Sequence, residues 1–104
     1  MTDHELDGLA RRVGEALAAR GLWLATVESC TGGWIAEAVT AIAGSSGWFD
    51  RGFVTYSNAA KADMLGVCDN TLDTHGAVSE ATVGEMAAGA LEHSRADLAV
   101  AVSG

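Results

Sequence analysis

The sequence predicts an α/β layer fold, with a mostly parallel sheet flanked by helices. Three observations carry that prediction. Short apolar runs recur along the chain, helix-period patterns fill the gaps between them, and no linker or internal repeat divides the whole. A length of 104 residues suits one domain, spanning 1–104.

At the N-terminus, Thr2 and Glu5 form a capping box, and Leu6, Leu9, Val13 and Leu17 recur at helical spacing up to a stop at Gly21. Residues 22–27 are continuously apolar apart from Thr26, as suits a strand buried on both faces. The run breaks at Glu28-Ser29-Cys30-Thr31-Gly32-Gly33. A second helix pattern with Ile35, Val39 and Ile42 follows, closed by Gly44-Ser45-Ser46-Gly47. Residues 52–56 read as a second strand. Asn58 is expected to cap a short helix that carries Lys61 and Leu65 and stops at Gly66. Ser79 caps a longer helix with Val83, Met86, Ala87, Ala90 and Leu91 on one face, and residues 97–102 form a third strand. Ser103-Gly104 then resembles a strand-to-helix loop without its helix. The fold is therefore expected to be incomplete at the C-terminus, a fragment of a longer domain.

Six basic residues against 14 acidic ones give a net charge of −8, which argues against a nucleic-acid binder relying on clustered cations. No apolar run approaches the ~18–20 residues of a membrane span, and the acidic N-terminus is unlike a signal peptide. Cys30 and Cys68 lack metal-ligand or disulfide-framework spacing. No histidine pair or Asp-x-Asp pattern marks a metal site either, so no metal and no cofactor is expected. A cytoplasmic location follows as an expectation.

Two segments carry residues suited to chemistry. Glu28-Ser29-Cys30-Thr31-Gly32-Gly33 stands at a strand-to-helix turn, where glycines permit tight backbone geometry and free N–H groups favour an anion or a developing oxyanion. Ser29 fits there as a nucleophile, and the same residues fit an ordinary helix cap. In the second segment, Thr55-Tyr56-Ser57-Asn58-Ala59-Ala60-Lys61, both Tyr56 and Lys61 are the only residues of their type in the chain. A lysine serves as base only where burial or a nearby cation lowers its pKa, which costs on the order of 4–5 kcal/mol near neutral pH. An exposed lysine on a short helix is the competing reading. His4, His75 and His93 read as solvated or helix-end residues. The three tryptophans read as core or interface, with Trp34 also placed to flank a ligand.

Taken together, several motifs resemble the CinA C-terminal domain family, which includes stand-alone nicotinamide-nucleotide amidases. They are Val27-Glu28-Ser29-Cys30-Thr31-Gly32-Gly33, Gly44-Ser45-Ser46, Val54-Thr55-Tyr56-Ser57-Asn58-Ala59-Ala60-Lys61, Leu65-Gly66-Val67, His75-Gly76-Ala77-Val78-Ser79-Glu80 and Ala99-Val100-Ala101-Val102-Ser103-Gly104. This resemblance implies an α/β fold and hydrolysis of nicotinamide mononucleotide to nicotinate mononucleotide and ammonia, without a metal. It also implies Ser29 as nucleophile, activated by Lys61 and Tyr56. Backbone N–H groups around Cys30, Thr31, Gly32 and Gly33 are expected to hold the oxyanion or the phosphate. Glu28, Thr31, Asn58 and Ser103 are expected as pocket residues by position. Family members continue beyond the position of Ser103-Gly104, so residues that close the pocket are expected to be missing. Self-association into a dimer or larger oligomer is expected as well. The competing function is a catalytically silent nucleotide-binding or competence-associated assembly module.

Overall fold

The structure, a computed structural model, describes residues 2–104. Thr2 accepts a hydrogen bond from the Glu5 N–H at 3.1 Å and starts helix α1 (Asp3–Arg20), which Gly21 ends in the left-handed conformation with φ 66°. Strand β1 (Leu24–Glu28) follows, then α2 (Trp34–Thr40), a 3₁₀ turn (Ser45–Gly47) and β2 (Phe49–Val54). Three helices come next: α3 (Asn58–Leu65), α4 (Asp69–His75) and α5 (Glu80–Glu92). Strand β3 (Leu98–Val102) closes the order.

The sheet is three-stranded and parallel, in the order β2-β1-β3. Every residue of the central strand β1 is buried, as its continuous apolar run requires. On one sheet face Ala10, Leu17, Leu24, Val39, Ile42 and Trp48 form a core beneath α1 and α2. On the other face Val27, Leu65, Val67, Leu72, Met86 and Ala90 form a second core beneath α3, α4 and α5. The α/β layer fold expected from the sequence is the fold observed.

Several local expectations are corrected. Helix α1 buries Ala10, Gly14 and Leu17, whereas Leu9 and Val13 are exposed. The cause is Trp48: a Cβ at Gly14 would lie 2.3 Å from its ring, so the helix docks by its small-residue side. Leu9 and Val13 instead line an apolar cleft of about 210 Å³ with Leu6, Ile35 and Val100. Ser57, not Asn58, caps α3, accepting from the Ala60 N–H at 3.0 Å; Asn58 is the first helical residue and is exposed. Strand β2 begins at Phe49 and ends at Val54, short of Tyr56. Helix α4 matches no helix pattern read from the sequence, although His75, read there as a helix-end residue, is its last residue. Among the tryptophans only Trp48 is core; Trp23 and Trp34 are exposed.

Candidate active site

In a parallel sheet, the chain emerging from the carboxyl ends of adjacent strands converges on one rim. Ser29 follows β1, Thr55 and Tyr56 follow β2, and Ser103 follows β3, so the topology gathers the motifs at that rim. Two bonds extend the ladder past the strand ends. The Ser29 N–H donates to the Val102 carbonyl at 3.0 Å, and the Thr55 N–H donates to the Glu28 carbonyl at 2.9 Å. Ser29 is thereby fixed between both neighbouring strands.

Lys61 occupies the first turn of α3, after the Ser57 cap, and its side chain runs back under the rim. It is 1% exposed. Its Nζ lies 3.0 Å from Ser29 Oγ, 3.0 Å from the Thr55 carbonyl oxygen and 3.1 Å from the Tyr56 carbonyl oxygen. Ser29 Oγ in turn lies 3.3 Å from the Tyr56 carbonyl oxygen. Among the described residues, no carboxylate forms an ion pair with Lys61. Burial therefore pushes its pKa below the usual lysine value, with the Cys30 thiol nearby acting in the opposite direction. The geometry serves both protonation states. An ammonium donates to all three oxygens, whereas a neutral amine donates to the two carbonyls and leaves its lone pair for the Ser29 hydroxyl proton.

Tyr56 contributes its main chain to this cluster. The residue is 74% exposed, and among the described residues its phenol makes no hydrogen bond. The turn after Ser29 is shaped by Gly32 at φ 64° and Gly33 at φ 113°, a backbone that L side chains rarely adopt. Within it the Gly32 N–H donates to the Ser29 carbonyl at 3.1 Å, and the Trp34 N–H to the Thr31 carbonyl at 3.2 Å. Among the described residues the N–H groups of Cys30, Thr31 and Gly33 donate to no protein acceptor, which leaves three donors beside Ser29.

Glu28, expected as a pocket residue, is 0% exposed, and its side chain is turned into the structure. Its carboxylate accepts from Thr31 Oγ1 at 2.7 Å, from the Ile35 N–H at 2.7 Å and from the Ala36 N–H at 3.0 Å. Thr31 spends its hydroxyl on that contact. Cys30 is exposed, Ser103 is half-buried at the end of β3, and Asn58 is exposed at the start of α3. What the sequence did not indicate is the pair of carbonyls, Thr55 and Tyr56, that cradle the lysine. Main-chain acceptors leave no mark in side-chain identity. Among the described residues no group of three or more His, Cys, Asp or Glu side chains is arranged to hold a metal ion.

A family model for the CinA C-terminal domain matches residues 6–104 of this chain. The chain belongs to that family. It is 64% identical over 104 residues to a protein of Escherichia coli K12 named nicotinamide-nucleotide amidohydrolase PncC, covering 100% of this chain and 63% of the relative. A CinA-like protein of Chloroherpeton thalassium is 56% identical over 96 residues, which is 92% of this chain and 23% of that longer protein. Among solved structures, the competence/damage inducible protein CihA of Agrobacterium tumefaciens superposes with a TM-score of 0.94 at 57% identity. That match covers 100% of this chain and 62% of the other. A CinA superfamily protein of Escherichia coli superposes with a TM-score of 0.95 at 37% identity. The chain thus spans 63% of the length of the curated amidohydrolase relatives it matches. Within the CinA family fold, the serine turn and the buried lysine described above occupy one rim of the sheet.

Proposed function

We propose that this chain carries the nucleophile and base of a nicotinamide mononucleotide amidohydrolase, converting the nucleotide and water to nicotinate mononucleotide and ammonia. The observation that supports the reading most is the 3.0 Å approach of Lys61 Nζ to Ser29 Oγ, at a lysine that is 1% exposed and without a carboxylate partner. The name of the 64% identical relatives supplies the substrate class.

In this mechanism neutral Lys61 accepts the Ser29 proton as Oγ attacks the carboxamide carbon. Oxygen–carbon bond formation gives a tetrahedral oxyanion, held by loop N–H groups from Cys30, Thr31 and Gly33. The Lys61 ammonium then protonates the leaving nitrogen, the carbon–nitrogen bond breaks, and ammonia departs. Water attacks the acyl-serine and gives a proton to Lys61. As the ester bond breaks, that proton returns to Ser29 Oγ and nicotinate mononucleotide is released. The Thr55 and Tyr56 carbonyls orient the amine throughout. Tyr56 enters this mechanism through its carbonyl and not through the hydroxyl that a proton relay would use, while Asn58 and Ser103 remain proposed pocket residues at the rim.

The test is ammonia release from nicotinamide mononucleotide, with the Escherichia coli relative as positive control. Ser29→Ala is expected to lose about 10³-fold or more, and Lys61→Ala about 10²–10⁴-fold, the range of a general base. Parental-level turnover by Lys61→Ala would overturn the mechanism. Tight nucleotide binding without ammonia would favour the silent-module reading instead.

A further inference from the structure

A helix start needs an acceptor for its first N–H groups, usually from the capping side chain. Helix α2 has no such side chain, because its capping position is Gly33, held at φ 113° with no side-chain cap bond. The missing acceptor comes from upstream of the turn, where Glu28 at the end of β1 places its carboxylate on the Ile35 and Ala36 N–H groups, seven and eight residues on. Oε1 takes a second bond from Thr31 Oγ1. One buried side chain therefore ties the last residue of the strand, the middle of the turn and the first turn of the helix. Ser29 is the next residue after that anchor.

From this we infer that Glu28 is a positioning residue for the nucleophile, with two separable effects. It fixes the turn that presents Ser29 Oγ to Lys61. It also saturates the start of α2 with a negative charge, which leaves the N–H groups of Cys30, Thr31 and Gly33 as the donors open to an oxyanion and disfavours an anionic group at the helix end. Glu28 does this without touching substrate, since it is fully buried and all its bonds are internal. The inference rests on the proposal that Ser29 is the nucleophile, and it is testable without the natural substrate.

The experiment compares the parent with Glu28→Gln and Glu28→Asp in two measurements. One is the rate at which a fluorophosphonate labels Ser29, followed against pH. The other is amide hydrogen exchange across the chain. Glu28→Gln keeps one acceptor oxygen and loses the other. It is expected to slow labelling about tenfold or more and to speed exchange at Ile35 and Ala36 by a similar factor. The pH midpoint of labelling should not move, because Lys61 does not contact Glu28, and amides of α1 and α5 should keep parental protection. Parental labelling and parental exchange at Ile35 and Ala36 would overturn the inference. So would a loss of protection spread evenly over α1 and α5, which marks general destabilisation. A parent that is labelled at Ser29 but releases no ammonia defeats the amidase reading alone, and the Glu28 comparison still decides. If the parent resists labelling, Ser29 is not the nucleophile and the inference fails with that reading.

Discussion

Lys61 is the residue on which the chemistry turns, because a buried ammonium without a counter-charge is unfavourable. Its folded-state pKa is depressed below 10.5 by desolvation, so the folded chain binds fewer protons than the unfolded chain between those two values. The sign follows: the penalty is fully present below the folded pKa and is relieved as pH rises through the window towards 10.5. Denaturant titrations at several pH values should therefore show the parent gaining stability relative to Lys61→Met as pH rises. A flat difference curve would contradict a depressed lysine. Tyr56 supplies a second prediction. Because its carbonyl rather than its phenol meets Lys61 and Ser29, Tyr56→Phe should lose no more than about tenfold in ammonia release, far less than Lys61→Ala. An equal loss would show that the phenol enters the site once substrate is bound. The sequence pointed to Lys61 through rarity, to Ser29 through its place at a strand-to-helix turn, and to both through family resemblance. The carbonyl cradle was hidden, since it depends on the path of the chain between β2 and α3.

At the scale of elements, the position of Lys61 depends on how closely α3 can approach α5. Gly89 makes that approach possible: a Cβ there would lie 2.2 Å from the Leu65 carbonyl oxygen and 2.8 Å from Leu65 Cβ. Backbone cannot yield as a flexible side chain does, so Gly89→Ala should destabilise the fold by about 1–3 kcal/mol. It should also displace the C-terminal end of α3 and lower activity. Thermal unfolding and ammonia release read the two effects, and a variant with parental stability would refute the packing argument. Caps and stops such as Thr2, Ser79, Gly21 and Gly66 were legible because side-chain capping and positive φ are local properties. Helix α4 was not, for a non-local reason. It buries only Leu72, its cap Cys68 makes no side-chain cap bond to the helix, and the acceptor for the Cys68 N–H is Glu85, 17 residues away on α5. The α1 stripe misled for a similar reason: the partner that decides which side docks is Trp48, far along the chain.

On the scale of the whole molecule, a charge of −8 is combined with apolar side chains left at the surface. Leu9, Val13, Leu98 and Val100 are each 43–46% exposed, and three of these four belong to or border the apolar cleft between α1 and β3. Such a surface favours association, so light scattering should give a mass above the 10.6 kDa of one chain. Leu9→Glu combined with Val100→Lys should shift that mass to the monomer, and a parental monomer would refute the expectation. The layer order and the parallel sheet were legible at this scale because β1 is apolar at nearly every position; that the last strand lacks cover on one face was legible too, and only the identity of the open face was not. All three scales meet at one point, where the fold brings a desolvated lysine to the serine at the sheet rim. The pH dependence of Ser29 labelling by a fluorophosphonate, in the parent and in Lys61→Met, tests that arrangement most directly. With Lys61 as the base, the parental rate rises to a plateau with a midpoint below 10.5, and the variant is slower by about 10²-fold or more without that midpoint. Equal rates and equal pH profiles in the two proteins would contradict it.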